Sequence, residues 1–286
     1  MKSNNVEDTQ LRNIKLLFLD LDGTLLNKKG KVPESYIELI KRLKELGTLT
    51  TLASARLHTS ILKIAEILEI DIPIISLDGA LIKSRDNNIV LYQSFLRKTV
   101  VKKAISLAEQ YLLKIGICHS DEIFYTEDSS TLPMLLGKIG AKYTLVNTLD
   151  NYLDNVIEVD IVGDHKQNMQ KVASRLRFPY VLGSSVNVYR SSYYTDIFYL
   201  ECKKSGSSKA NALRKLIKFL KIKEKNVLVA GDWYNDIPVF ETNTIKVALK
   251  NSIPTLKKRA DIILNKTNDE EGLKELLEKI IQLKNK

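Results

Sequence analysis

Cysteine is scarce in this chain. Cys118 and Cys202 stand far apart with no Cys-x-x-Cys spacing, so neither a disulfide framework nor a zinc site is indicated. The histidines His58, His119 and His165 are scattered likewise. No apolar run is long enough to span a bilayer, and residues 1–13 are polar and mixed in charge, without the apolar stretch of a signal peptide. Cytoplasmic placement, with no membrane partner, is the expectation. Internal repeats, low-complexity tracts and zinc-finger or RNA-recognition signatures are also missing. The net charge of +10 does not by itself call for nucleic acid, because the lysines are spread along the chain and interleaved with acids. A positive field that draws in small anions accounts for it equally, so no nucleic-acid partner is expected. What remains is a soluble globular composition, 44% hydrophobic and 27% charged, and 286 residues that can hold one large domain or two modest ones.

What the chain does have is concentrated first in Lys15-Leu16-Leu17-Phe18-Leu19-Asp20-Leu21-Asp22-Gly23-Thr24. Residues 14–19 are apolar except Lys15, as in a strand buried on both faces of a parallel sheet. The run stops at two carboxylates, and Gly23 and Thr24 supply the turn. In open α/β sheets the ligand crevice lies at such strand ends. Close carboxylates repel one another and attract a divalent cation. Three readings of Asp20 and Asp22 compete. An EF-hand loop counted from Asp20 needs Gly at its sixth position and Glu at its twelfth, where this chain has Leu25 and Lys31, so that reading fails. A plain turn remains, and so does an aspartate nucleophile with a neighbouring acid/base; the buried strand ahead and Gly-Thr behind favour the nucleophile.

Alternation continues from there. Helical spacing of Ile37, Ile40, Leu43 and Leu46 follows Pro33 and closes at Gly47. Residues 48–53 read as a strand ending in Ser54-Ala55-Arg56, a helix runs through Ile61, Ile64, Ala65 and Leu68, and residues 72–76 form a third strand. This is the start of a doubly wound parallel sheet, Rossmann-like. Beyond Lys83 the rhythm changes. Residues 84–88 make a polar turn, and 89–95 look like a hairpin partner of the strand before. Helices over 100–113 and 167–176 then mix with short strands near 115–118, 123–125, 156–162, 180–182, 186–189 and 197–200. The expected organisation is a core over 1–83 and 197–286 with an α+β domain inserted at 84–196. In the last part, a helix over 208–220 starts at a serine-rich N-cap. Strands over 227–230, 245–249 and 262–264 and a helix over 271–283 complete the core.

Later strand ends repeat the opening pattern. Ser54 offers a hydroxyl beside small Ala55, whose amide can approach a ligand; alone it reads equally well as a helix N-cap. Lys209 sits in the first turn of a helix, where a cation opposes the dipole, and an anion held between lysine and helix explains it better. Gly231-Asp232-Trp233-Tyr234-Asn235-Asp236 brings a second carboxylate pair, with Asn235 able to donate to a phosphate or hold a neighbouring side chain.

In this order, Asp-x-Asp-Gly-Thr, Ser-x-Arg, a lysine at a helix start and Gly-Asp-x-x-Asn-Asp, the chain resembles the haloacid dehalogenase superfamily of phosphotransferases. The inserted α+β segment resembles the cap of its Cof-like sugar-phosphatase subgroup. Ser76-Leu77-Asp78-Gly79-Ala80, Val247-Ala248-Leu249-Lys250-Asn251-Ser252 and the acidic stretch around Asn268 extend the likeness over nearly the whole chain. Asp78 stands where Asn is common, and Ala55 and Lys250 where Gly is common; none removes a group the chemistry needs.

The resemblance implies a magnesium-dependent phosphatase acting on a small phosphorylated metabolite, a sugar phosphate, through an aspartyl-phosphate. It implies Asp20 as nucleophile and Asp22 as general acid/base. Ser54, Ala55, Lys209 and Asn235 would be phosphate-binding groups, with Lys209 also catalytic. Mg2+ would be held by Asp20, the Asp22 backbone carbonyl and Asp232, with Asp236 supporting from behind and Asp78 and Asn251 as substrate contacts. A phosphomutase would carry the same core motifs, and a non-catalytic sugar-phosphate-binding regulator could keep the scaffold. Intact Asp20, Asp22, Lys209 and Asp232 argue against the regulator.

Overall fold

In the computed structural model the chain forms two compact units. The first comprises Met1–Ala55, Leu62–Tyr92 and Ser208–Lys286; the second comprises Arg56–Ile61 and Gln93–Ser207. The structure describes residues 2–3, 6–126, 142–190 and 196–286.

The first unit begins with β1 (Lys2–Ser3) and a short helix α1 (Asp8–Arg12), and then reaches the five fully buried residues of β2 (Leu16–Asp20). Helix α2 (Glu34–Glu45) buries Tyr36, Ile40 and Leu43, spaced four and three residues apart on one face, and ends where Gly47 takes a φ of +75°. β3 (Leu49–Ala53), α3 (His58–Ile67), whose first residues, His58 to Ile61, are grouped with the second unit, and β4 (Ile74–Ser76) complete the expected alternation. The chain then reverses through Asp78, and β5 (Leu81–Lys83) runs antiparallel to β4, with β6 (Val90–Gln93) beside it. The polar stretch after Lys83 is the tip of this turn: the Ser84 Oγ accepts from the Ile89 N–H at 2.9 Å and donates to Asp86 at 2.5 Å.

The second unit carries α4 (Lys98–Gln110), β7 (Lys114–Cys118), β8 (Ile123–Tyr125), β9 (Tyr143–Leu145), β10 (Glu158–Gly163), α5 (Lys166–Arg175), β11 (Ser184–Arg190) and β12 (Phe198–Lys204). Its sheet has the order β11-β12-β10-β7-β8-β9, antiparallel except for β8 with β9. Alternation along the strands sorts its faces. Val159, Ile161, Leu200 and Ile117 join Val101, Ala104, Met169 and Val172 from the two helices in one core. The opposite face carries Glu158 and Asp160 on β10, with Lys203 and Glu201 paired to them in register on β12. The Lys203 ammonium lies 3.4 Å from Glu158 and 3.2 Å from Glu201. Cys118 pairs with Glu158 and Cys202 with Val159, so the two thiols lie on opposite faces of the sheet. Residues 180–182, expected as a strand, form a turn in which the Val181 N–H donates to the Arg177 carbonyl at 3.0 Å. The longer stretch of the second unit, Gln93–Ser207, overlaps the segment expected at 84–196; β6 pairs in the first sheet and β12 in the second.

The chain returns to the first unit with α6 (Lys209–Leu220), β13 (Val227–Gly231), β14 (Ile245–Ala248), α7 (Pro254–Arg259), β15 (Ile262–Ile263) and α8 (Lys274–Lys284). The sheet order is β1-β15-β14-β13-β2-β3-β4-β5-β6, with parallel pairing from β15 through to β4. The parallel strands therefore have the doubly wound order 3-2-1-4-5-6, and the order reverses between β2 and β13. Connections leave those two neighbours in opposite directions, opening a crevice beyond their carboxyl ends.

Candidate active site

Of the sequence-predicted residues, Asp20, Lys209, Asp232 and Asp236 come together at those strand ends. In register, Asp20 lies beside Ala53 of β3, and Leu19 beside Ala230 of β13, so Ser54 and Asp232 follow the strand ends flanking Asp20. Lys209 opens α6, whose N-cap Ser208 accepts from the Asn211 N–H at 3.2 Å. Its ammonium is fully buried and donates to Asp20 Oδ1 at 2.5 Å and to Asp236 Oδ1 at 2.7 Å. The Asp236 Oδ2 accepts the backbone N–H groups of Asp232 at 3.0 Å and Trp233 at 3.2 Å. Both Asp236 oxygens thus accept hydrogen bonds from within the site.

Two glycines make this closeness possible. A Cβ on Gly23, where φ is +82°, would lie 2.2 Å from Asp232 Oδ2. A Cβ on Gly231 would lie 2.6 Å from the Asp236 carboxylate. Each admits a carboxylate into space that any other residue would fill.

Among the described residues, Asp20, Asp232 and Asp236 can place one oxygen each within 4.8 Å of one another. Three carboxylates against the one Lys209 ammonium leave an excess of negative charge in a buried place. Burial pushes the Asp20 carboxyl well up; Lys209 opposes this, and Asp236 and Asp232 reinforce it. Burial, then Asp236, push Asp232 up to about 7, against hydrogen bonding from Thr24 at 3.1 Å. Burial acts to lower the Lys209 pKa, but Asp20 and then Asp236 outweigh it, so the ammonium stays charged. Hard carboxylate oxygens with surplus negative charge suit a magnesium ion. Asp22 is exposed at the turn after β2, outside the carboxylate cluster.

The remaining predicted residues have mixed placements. Ser54 is buried, with its N–H donating to the Ile75 carbonyl at 3.0 Å and its carbonyl accepting from the Asp78 N–H at 3.0 Å, while Ala55 is exposed. Asn235 Nδ2 donates to Asp78 Oδ1 at 2.9 Å, the neighbour-holding option of the two the sequence allowed. Asn251 bridges two loops: its Nδ2 donates to the Gly23 carbonyl at 2.7 Å, and its Oδ1 accepts the Asn268 N–H at 3.2 Å. Thr24 and Ser252 were not singled out as site residues. Thr24 steadies Asp232, and Ser252 Oγ donates to the Gly231 carbonyl at 3.1 Å while accepting the Leu249 N–H at 2.8 Å. The Thr of Asp-x-Asp-Gly-Thr was the available signal for the first.

A doubly wound sheet that gathers buried carboxylates and one lysine at its switch point is an α/β enzyme built to hold an anion and a cation together. Residues 17–277 match the haloacid dehalogenase-like hydrolase family. The chain belongs to that family, as the sequence motifs implied, and is a hydrolase of the phosphoric monoester class. It is 30% identical to a haloacid dehalogenase-like hydrolase of known crystal structure from Bacteroides thetaiotaomicron, with a TM-score of 0.81 over 93% of this chain and 99% of that one. It is 23% identical over 270 residues to the Bacillus subtilis 5-amino-6-(5-phospho-D-ribitylamino)uracil phosphatase YitU, covering 94% of this chain and 98% of the relative. A Streptococcus pyogenes relative, whose name pairs a phosphatase with a peptidyl-prolyl cis-trans isomerase, is 26% identical over 272 residues; the match takes in 94% of this chain but 54% of the relative's length. Among the described residues, no helix is long and apolar enough to cross a membrane.

Proposed function

We propose that the protein is a magnesium-dependent phosphatase that hydrolyses a small phosphorylated metabolite, a sugar phosphate, through an aspartyl-phosphate formed on Asp20. One observation carries the reading: a fully buried lysine clamps Asp20 and Asp236 at the switch point, with Asp232 in the same cluster. A purely structural core gains nothing from such a set, since well-packed apolar residues are as stable or more so. Support for the substrate class comes from YitU, named for a phosphate carried on a ribityl chain.

In the first half-reaction Asp20 attacks phosphorus, and the new O–P bond forms as the ester P–O bond breaks. Lys209 holds one Asp20 oxygen, which fixes the nucleophile and opposes, without cancelling, the upward push of burial on its carboxyl. Asp22 gives its proton to the leaving oxygen. In the second half-reaction it takes a proton from the water that attacks phosphorus and frees Asp20. Ser54, the Ala55 amide and Lys209 serve as donors to the phosphoryl oxygens, Asn235 holds Asp78, and Asp78 and Asn251 serve as substrate contacts. Asp20, the Asp22 carbonyl and Asp232 would hold magnesium, with Asp236 behind them. When bound, the cation supplies positive charge that offsets the repulsion between an anionic nucleophile and an anionic phosphate.

The test is phosphate release from a panel of sugar phosphates with magnesium, for wild type and Asp20→Asn. The variant is expected to keep its thermal transition and lose turnover by about a thousandfold or more. Wild-type-like turnover in a folded Asp20→Asn protein overturns the reading.

A further inference from the structure

Asp22 sits on a turn that is tied within itself and held again from outside. Within the turn, the Leu21 carbonyl accepts the N–H groups of Thr24, Leu25 and Leu26 at 3.3, 3.0 and 2.9 Å, and Asp22 is bridged to Leu26. From outside, Asn268 Nδ2 donates to the Leu26 carbonyl at 2.7 Å and Asn251 Nδ2 to the Gly23 carbonyl at 2.7 Å. The two asparagines are joined, since the Asn268 N–H donates to Asn251 Oδ1 at 3.2 Å. Beside them, Asp269 Oδ1 accepts the Lys28 N–H at 2.6 Å. The bracing stretch is stiff in its own right: the Thr267 N–H donates to Glu270 Oε2 and the Gly272 N–H to the Thr267 carbonyl, both at 2.9 Å. An asparagine in a turn ordinarily bonds its own neighbours. Asn268 is instead buried, with its carboxamide on a carbonyl 242 positions earlier in the chain.

We infer that Asn268, joined to Asn251, is a positioning residue for Asp22: the pair fixes the backbone at Gly23 and Leu26 and so sets where the Asp22 carboxyl can reach. The inference rests on the phosphatase reading above and adds to it a group that acts through the backbone rather than on the phosphate. Proton transfer needs the acid within about 0.5 Å of its productive place, and an exposed side chain is held there chiefly by the backbone that carries it. As the ester P–O bond breaks, its electron pair passes to the leaving oxygen. A basic alkoxide must take the Asp22 proton at that moment, whereas a nitrophenolate departs as the anion. A loosened Asp22 therefore harms the two kinds of ester unequally, which a general loosening of the fold would not.

The test compares ribose 5-phosphate with p-nitrophenyl phosphate, with magnesium, in wild type and Asn268→Ala. The quantity read is kcat/KM, which ends at departure of the leaving group and leaves out the later attack of water. Asn268→Ala is expected to lower it about tenfold or more for ribose 5-phosphate and no more than about threefold for p-nitrophenyl phosphate. Asn268→Asp, equal in shape but without the donor, should behave as alanine does. Asp269→Ala, nearer the surface, should shift the same ratio in the same direction by less, so the comparison survives if alanine at the buried site does not fold. Hydrogen exchange needs no turnover: the Thr24, Leu25 and Leu26 amides should exchange about tenfold faster in Asn268→Ala, with those of β13 unchanged. If wild type releases phosphate from neither ester yet these amides exchange faster in the variant, the phosphatase reading falls and the brace stands. Equal losses for both esters, full rescue by Asn268→Asp, or unchanged exchange at the turn overturns the inference.

Discussion

Replacing Lys209 by methionine keeps most of the side-chain volume and removes the ammonium hydrogen-bonded to Asp20 and Asp236. The two carboxylates are 6% and 1% exposed, so water cannot take the lysine's place. Removing one partner of a buried ion pair costs about 3–5 kcal/mol, because a charge is left uncompensated. For a unit of this size that lowers the thermal transition by roughly 6–20 °C. The deficit must depend on pH. Burial already holds the Asp20 carboxyl well up, and Lys209 is what lowers it, so the variant's Asp20 rises further. The folded variant then binds more protons than the unfolded chain, whose carboxyls titrate near 4, and its stability falls as pH rises through that window. Thermal unfolding in a chelator at pH 7.5 and pH 5.0 checks this: the variant's deficit should be large at the higher pH and shrink at the lower. Adding Asp20→Asn to Lys209→Met should restore part of the loss, since one stranded charge is gone. A transition unchanged at pH 7.5, or a deficit that does not shrink on acidification, refutes the reasoning.

Magnesium should raise the thermal transition more at pH 8 than at pH 5.5, because Asp232, held at about 7 when no cation is bound, must give up its proton to act as a ligand. Equal shifts at both pH values would count against Asp232 as a ligand, and Asp232→Ala should abolish the shift. Gly23→Ala should destabilise the core by about 2–4 kcal/mol, from left-handed backbone strain and from a methyl 2.2 Å from Asp232, and should weaken magnesium binding. Titration of the variant with magnesium, followed by unfolding temperature, measures both effects.

The carboxyl-end cluster was legible because each of its members closes or follows a locally coded element. Five buried residues end at Asp20, and Lys209 follows a serine cap. The doubly wound order followed from alternation along the chain. What sequence could not carry was pairing across long separations. Asn235 and Asp78 are far apart in the chain, and nothing local to either announces their hydrogen bond. The same holds of β6: the polar residues after Lys83 look like a linker, yet they cap a turn whose second arm, β6, stays in the first sheet. Tyr180, Val181 and Leu182 have strand-like side chains, but the turn there is set by Arg177. Its carbonyl accepts the Val181 N–H, and its guanidinium Nε donates to the Val186 carbonyl at 3.1 Å.

The second unit enters and leaves by neighbouring residues: Ser94 Oγ and Ser207 Oγ lie 2.9 Å apart, bonded to each other. To the host sheet, the whole of Gln93–Ser207 therefore closes as a tight turn would once that segment is folded, and the host bears little of the entropy that a floppy loop of such length would cost. A module attached in this way can be exchanged for another with equally close ends while the host's strand order stays untouched.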